Sequence, residues 1–152
     1  MPVNRKRIIW PALACLIATP LSLAHADIDL ERLGTYSQPD PAAAFDESAA
    51  EIVAFDKKSE SLFITNGNDK TIDIIDISDP AAPVLDGTIN VTDNVDFGGF
   101  VGGGANSVAV ARGLVAAAIE ADTVTDPGAV AFFDTDGNFL SMDMMDGRCA
   151  LP

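Results

Sequence analysis

Carboxylates and amides recur at calcium-loop spacing late in the chain, in Asp134-Thr135-Asp136-Gly137-Asn138. Asp134, Asp136 and Asn138 are therefore weak candidate metal ligands, and Ca²⁺ is the cation that such oxygen donors would take. A complete calcium loop also needs a third acidic or amide position before its glycine and a distant Glu, which this segment lacks. Asp-Gly-Asn between two strands is equally the composition of a tight hairpin turn. We therefore predict a turn here, and neither a metal nor another cofactor.

A glycine-rich run at residues 97–104, Phe-Gly-Gly-Phe-Val-Gly-Gly-Gly, raises the question of phosphate binding. A phosphate loop needs Lys followed by Ser or Thr after its glycines, and then a helix. Here Ala105-Asn106-Ser107 follows and leads into a predicted strand, and the nearest cation is Arg112. We interpret the run as a flexible connection between two structural units, whose glycines could still shape the mouth of a ligand site.

The chain has a single histidine, His25, which lies in a segment that we predict to be removed. The mature chain then cannot build a Ser–His–Asp or Cys–His arrangement, because each needs an imidazole base. It also cannot supply the histidine ligands of common catalytic zinc sites. No catalytic residue and no cofactor-binding residue is predicted.

Residues 1–26 have the three parts of a cleavable export signal. Arg5-Lys6-Arg7 form a basic start, residues 8–23 are mainly apolar, and Ala24-His25-Ala26 provide the small residues that a signal peptidase recognises. Cleavage is predicted between Ala26 and Asp27. The apolar stretch contains two prolines and is shorter than the roughly 20 residues of a spanning helix. We expect no transmembrane span in the mature chain, and an extracytoplasmic location in the periplasm, at the cell surface or secreted.

The composition after cleavage is strongly acidic. Removing residues 1–26 takes away three of the nine Lys and Arg residues and none of the 23 Asp and Glu residues, which leaves a net charge of −17. Nucleic-acid binding rests on Lys and Arg neutralising phosphates, so we expect no nucleic-acid partner. Cys149 is then the single cysteine, which argues against a disulfide-stapled domain.

The elements that must position these residues are strands. After an N-terminal segment at residues 27–47, in which Leu30, Leu33 and Tyr36 are expected to pack, short apolar runs alternate with turn clusters rich in Asp, Asn, Gly and Pro. Some runs, such as residues 71–77 and 114–119, are apolar on both faces, which is typical of strands sandwiched between layers. The predicted strands lie near residues 50–55, 62–65, 71–77, 85–91, 107–111, 114–119, 129–134 and 139–142.

The strands form two similar series of four, and corresponding strands of the two series lie 52 to 58 residues apart. We interpret the unequal offsets as loop insertions, such as residues 121–128. A four-stranded unit that recurs at about this period is typical of β-propeller blades. We therefore predict an all-β fold with about two β-propeller-type blades, over residues 48–97 and 105–146, within a module at residues 48–152. Because propellers close with about four to eight blades, this is an incomplete propeller, and we expect a fragment of a longer protein.

Several segments resemble one family, the choice-of-anchor I family of exported bacterial β-propeller proteins. The resemblance rests on residues 105–110, 113–116, 126–128 and 130–137, and on Ile75-Asp76-Ile77-Ser78-Asp79-Pro80. It implies an exported propeller protein several hundred residues long, of which this chain would be the amino-terminal part.

Together these features predict an exported, non-enzymatic binding or scaffold module of the bacterial cell envelope. Its partner would be an unidentified envelope or extracellular molecule, and open strand edges favour self-association. The alternative is a calcium-dependent phosphate-ester hydrolase, similar to the alkaline phosphatase and phytase propellers. That function needs carboxylates converging on metal and cations that hold phosphate, whereas the mature chain carries six scattered Lys and Arg residues.

Overall fold

The computed structural model describes residues 29–38 and 48–145, and within them eight β-strands. The predicted cleavage site at Ala26 and Asp27, and Cys149, lie outside the described residues. The strands are β1 (Val53–Asp56), β2 (Ser61–Asn66), β3 (Thr71–Asp76), β4 (Val84–Asn90), β5 (Gly102–Ala111), β6 (Leu114–Ala121), β7 (Ala129–Asp134) and β8 (Phe139–Met144).

The strands form two four-stranded antiparallel sheets with the same internal order, β1-β2-β3-β4 and β5-β6-β7-β8. Each sheet is a meander of hairpins, so every strand pairs with its neighbour in sequence. Tight turns close the hairpins, for example Arg112 and Gly113 between β5 and β6, both with positive φ. The prediction of an all-β fold with two blade-like units is confirmed.

One hydrophobic cluster draws on the facing sides of both sheets. Period-2 alternation puts Phe63 and Ile74 on one face of the first sheet, and Val115 and Phe133 on one face of the second. These four side chains are at most 3% exposed. Burying an aliphatic or aromatic side chain of this size contributes about 1.5–3 kcal/mol each, so this shared core holds the two sheets together.

The outer face of the first sheet is partly covered by residues 32–38. Asp73 on β3 is 6% exposed and accepts hydrogen bonds from Asn66 Nδ2 (3.0 Å), Thr71 Oγ1 (2.9 Å) and Gln38 Nε2 (3.4 Å). Burial raises the pKa of the half-buried Tyr36, and the negative charge of Asp73 raises it further. The expectation that Tyr36 packs therefore agrees with the structure.

Two other residues of the N-terminal segment do not pack as expected. Leu30 is 88% exposed and Leu33 is 64% exposed. Their apolar side chains suggested packing, but residues 29–38 form no strand or helix.

The outer face of the second sheet is uncovered by the described residues. Leu114 is 42% exposed, and Ala116, Val130 and Phe132 on the same face are half-buried. Residues 114–119 are apolar on both faces as predicted, but only the face with Val115 is fully buried.

The interpretation of residues 97–104 as one flexible connection is wrong for its second half. Gly102–Gly104 open strand β5 and pair with β6. Gly102 is also packed so closely that a Cβ there would collide with the carbonyl oxygen of Val91 and lie 2.8 Å from Ile119 Cγ2. These glycines permit close backbone approach and pairing, where the sequence suggested conformational freedom.

Candidate binding pocket

An open cavity of about 650 Å³ lies at one end of the second sheet, on its core-facing side. Small-molecule sites commonly have volumes of about 300–1,000 Å³, so this cavity has the size of a ligand site. Three elements line it: the connection between the two sheets, the loop from β6 to β7, and strand β8. The lining residues are Phe97, Gly98, Gly99, Phe100, Val101, Ala121, Asp122, Thr123, Asp126, Pro127, Met142 and Met144.

The first wall is a 3₁₀ turn, Val95–Phe97, followed by two glycines. Asn94 begins the turn, and its side-chain oxygen accepts a hydrogen bond from the backbone N–H of Asp96 at 3.0 Å. Gly98 and Gly99 then adopt φ values of 62° and 97°, a left-handed conformation that favours glycine. The backbone conformation of this wall therefore follows from its own sequence, through the Asn94 cap and the two glycines.

Aromatic packing anchors this wall to the core. Phe97 is 2% exposed, and its ring centroid lies 5.6 Å from that of Phe139 and 6.3 Å from that of Phe133. Phe100 is half-buried, and its centroid lies 6.2 Å from that of Phe97. Tilted pairs at these distances are favourable, so the aromatic side of the cavity is held in place by the core itself.

The second wall is the seven-residue loop between β6 and β7, residues 122–128. Asp122 N–H donates to the carbonyl oxygen of Val101 at 3.0 Å, which ties this loop to the opposite wall. Asp126 N–H donates to the carbonyl of Thr123 at 2.8 Å and makes a turn within the loop. The carboxylate of Asp122 lies 3.6 Å from the ammonium of Lys70, in the turn between β2 and β3. The loop therefore contributes two acidic residues, Asp122 and Asp126, to the lining of the cavity.

The floor of the cavity is continuous with the core. Met142 and Met144 on β8 pair with Ala131 and Ala129, and alternate positions of these strands face the core. Ala121 at the end of β6 is 8% exposed. Methionine side chains are flexible and polarisable, so this floor can adapt to apolar groups of different shape.

The weak metal candidates lie in the hairpin between β7 and β8, and their polar atoms serve the turn. Asp134 Oδ1 accepts hydrogen bonds from the backbone N–H groups of Asp136 (3.0 Å) and Asn138 (2.8 Å). Asp134 Oδ2 accepts one from Asn138 Nδ2 at 2.9 Å. Hydrogen bonds from Asn138, first from its side chain, hold the pKa of the Asp134 carboxyl below its usual value.

These hydrogen bonds are typical of a hairpin turn in which a side chain accepts from polar groups of the same turn. Within residues 29–38 and 48–145, no three His, Cys, Asp or Glu side chains group as metal ligands would. The structure therefore gives a structural role to Asp134 and Asn138.

The sequence pointed to parts of this cavity and missed others. The glycine run was predicted to be a flexible connection that could also shape a ligand mouth, and Gly98 and Gly99 line the cavity. The loop at residues 122–128 was recognised as an insertion but not as a wall. Met142, Met144 and Phe100 carried no signal, because isolated apolar residues in or near strands look alike whether they line a core or a pocket.

The comparisons with known proteins identify a family. The family model of the choice-of-anchor I domain matches residues 51–146, which include every residue that lines the cavity. The chain belongs to the choice-of-anchor I family. The resemblance noted in the sequence is thereby confirmed. No curated protein and no solved structure matches the chain.

Membership of the choice-of-anchor I family associates the chain with the cell surface or the extracellular space. It does not separate binding from catalysis. Among the residues that the structure describes, no helix is long and apolar enough to cross a membrane.

Proposed function

We propose that the chain is an exported, non-enzymatic binding module of the bacterial cell envelope, and that the cavity beside Phe100 is its ligand site. The observation that carries the proposal is a difference in the length of one loop between the two sheets. In the first sheet four residues, 67–70, join the second and third strands, whereas in the second sheet seven residues, 122–128, join the corresponding strands. The additional residues build a wall of the cavity.

Repeat proteins commonly place ligand sites on such insertions, because loops vary while the repeated strands supply a rigid base. The opposite wall, residues 97–101, is likewise outside the repeated strands and connects the two sheets. Both walls are therefore local additions to a repeated framework. That arrangement supports a ligand-binding role for the cavity.

The export features of the sequence support a role outside the cytoplasm. The basic start, apolar stretch and Ala24-His25-Ala26 site are those of a cleavable signal. The mature net charge of −17 favours solubility in an extracytoplasmic setting and basic or cationic partners. The proposed partner is accordingly an envelope or extracellular molecule.

The alternative, a calcium-dependent phosphate-ester hydrolase, gains little from the described site. Phosphate recognition relies on Lys, Arg, backbone amides or bound metal, yet the described lining of the cavity includes two acidic residues, Asp122 and Asp126, and no Lys or Arg. The carboxylate of Asp134, one of the three weak metal candidates, already accepts three hydrogen bonds within its turn. We therefore favour binding over hydrolysis.

The test is ligand binding observed at the methionines. The full chain is exported from a bacterial host, recovered with methyl-labelled methionine, and titrated by NMR with small neutral, cationic and anionic aromatic fragments. We expect shifts at Met142 and Met144. Met145, which does not line this cavity, is an internal control. Calcium-dependent hydrolysis of p-nitrophenyl phosphate, without fragment binding at these methionines, would overturn the proposal in favour of the alternative.

A further inference from the structure

We infer that this cavity selects an organic cation with an apolar body, such as an aromatic or alkyl ammonium group carried by a small molecule or peptide. The inference rests on the proposed function, because it names the ligand class of the same cavity. Three features support it: the aromatic and thioether side chains of the lining, the two acidic residues of the lining with no Lys or Arg beside them, and the ammonium group that already lies near the carboxylate of Asp122.

The lining of the cavity specifies the apolar part of the ligand. Phe97, Phe100, Met142 and Met144 surround the space between the first wall and strand β8. Phe97 is fixed by its ring contacts, whereas the methionines can adjust their side-chain conformations. An apolar body placed here would remove exposed apolar surface from water, including that of Met144, which is 46% exposed.

The acidic residues of the lining specify the charge of the ligand. Asp122 and Asp126 both belong to the second wall, and the described lining residues include no Lys or Arg. An anionic group would therefore meet like charge, and a neutral group would gain no charge interaction with these residues. A cation whose apolar end contacts Phe97 or Phe100 can place its ammonium group at the second wall, where Asp122 and Asp126 lie.

Lys70 already makes an ion pair between an ammonium group and Asp122. Its ammonium lies 3.6 Å from the Asp122 carboxylate, with both side chains about half exposed, at 45% and 60%. Asp122 therefore already pairs with one ammonium group, which comes from a residue outside the lining of the cavity. Because an exposed ion pair of this kind is weak, a ligand ammonium with additional apolar contacts can compete with Lys70 for Asp122.

The experiment uses three probes with the same phenylbutyl body and different charge: 4-phenylbutylammonium, 4-phenylbutanol and 5-phenylpentanoate. Each is titrated into the full exported chain, followed by the methyl signals of Met142 and Met144. We expect the ammonium to bind about tenfold more tightly than the alcohol at low salt, and the carboxylate most weakly. Added NaCl should reduce the preference for the ammonium and leave alcohol binding unchanged.

Three variants separate the charges of the cavity lining from the overall acidity of the chain. Asp126→Asn should weaken ammonium binding about threefold and leave alcohol binding unchanged. Asp86→Asn makes the same change of net charge on strand β4, outside the cavity, and should change neither. Lys70→Met frees Asp122 from its partner and should strengthen ammonium binding about threefold.

The outcomes distinguish the inference from the proposed function. Equal binding of the ammonium and the alcohol in the cavity would overturn the cation preference and leave the binding module standing. A preference for the ammonium that Asp86→Asn weakens as much as Asp126→Asn would also overturn it, because the effect would then be general acidity. Binding of none of the probes, with signals of a folded protein, would contradict the ligand site itself and with it both proposals.

Discussion

At the scale of single residues, Gly102 decides how closely the connection between the sheets approaches the second sheet. A Cβ at this position would collide with the Val91 carbonyl oxygen, a backbone atom that cannot rotate away. We expect Gly102→Ala to lower the free energy of unfolding by about 1–3 kcal/mol, as overpacking of a buried site does. Chemical denaturation of the purified chain measures this change.

Gly87→Ala is the matched control for Gly102→Ala. Gly87 also lies in a strand, but its nearest neighbour would be 3.8 Å from a Cβ, an ordinary contact with Ile74 Cδ1. This variant should unfold at nearly the same denaturant concentration as the unchanged chain. Equal destabilisation by both substitutions would contradict the close approach at Gly102.

Asp56 makes stability depend on pH. One oxygen of its carboxylate, Oδ2, accepts hydrogen bonds from Ser59 N–H (2.8 Å), Ser59 Oγ (3.0 Å) and Lys58 N–H (3.1 Å), while the residue is only 7% exposed. The Ser59 backbone N–H is the main cause that lowers the pKa of this carboxyl below the usual 3.8. The folded state therefore binds this proton more weakly than the unfolded state.

The sign of the pH effect follows from that lowered pKa. The stabilisation is fully present above the unfolded pKa and is lost as pH falls through about 4 to the lower folded pKa. Melting temperatures measured between pH 6 and pH 2 should therefore fall more steeply for the unchanged chain than for Asp56→Asn, which keeps an acceptor oxygen but does not titrate. Parallel curves for the two proteins would show that Asp56 does not contribute to the acid sensitivity.

Asp134 gives the test for calcium. A site made of Asp134, Asp136 and Asn138 offers fewer than the six to eight oxygens that calcium usually takes, and Asp134 is engaged in its turn. Millimolar calcium should therefore raise the melting temperature no more than magnesium does, through general screening of acidic groups. A calcium-specific rise that Asp136→Asn abolishes would establish a metal loop here and restore the hydrolase alternative.

At the scale of elements, the sequence predicted the strands well. Short apolar runs between turn clusters, whether alternating or continuous, are compatible with few secondary structures other than a strand. All eight predicted strands occur, and β7 has the predicted bounds, residues 129–134. The largest error is at β5, which begins at Gly102 instead of residue 107. Glycine has low strand propensity, so the extended conformation of Gly102–Gly104 depends on tertiary structure: the pairing of Gly102 and Gly104 with β6, and the close approach of Val91 and Ile119 to Gly102.

The cavity could be predicted only in part, because it depends on distances between segments that are remote in sequence. Residues 97–101, 121–127 and 142–144 meet through the pairing of β5 with β6 and of β7 with β8. Local composition marked the first of these segments as a glycine loop and the second as an insertion. It carried no information about which apolar side chains of β8 would face them.

A loop exchange tests whether the loop between β6 and β7 is required for the cavity but not for folding. Residues 122–128 are replaced by Gly-Asn-Asp-Lys, the four residues that join β2 and β3. Because that sequence already closes a hairpin in the same chain, the circular dichroism and cooperative unfolding should be retained. Binding of the aromatic probes at Met142 and Met144 should be lost, because one wall of the cavity is removed. Retained binding would show that residues 97–101 and β8 suffice.

At the scale of the whole molecule, two opposing features govern association. The outer face of the second sheet presents Leu114, Val130 and Phe132 without a covering layer among the described residues, and β8 is an edge strand of that sheet. Uncovered apolar faces and open edges favour association with another copy. The net charge of −14, or −17 after cleavage, opposes it by repulsion between copies. Salt should therefore shift the balance towards association.

Sedimentation velocity of the exported chain at increasing protein concentration measures this balance. We expect association that rises with protein concentration and is stronger in 0.5 M NaCl than in 20 mM NaCl, because screening weakens repulsion but leaves apolar contact intact. Phe132→Thr, which keeps a strand-compatible residue on the outer face, should reduce the association about tenfold, since the loss of one buried aromatic contact is worth more than 1.4 kcal/mol. Val124→Thr is the control, because Val124 is 95% exposed in the loop between β6 and β7 and lies off that face. A chain that stays monomeric at high salt, or associates equally with Thr at position 132, would exclude the outer face of the second sheet as the contact.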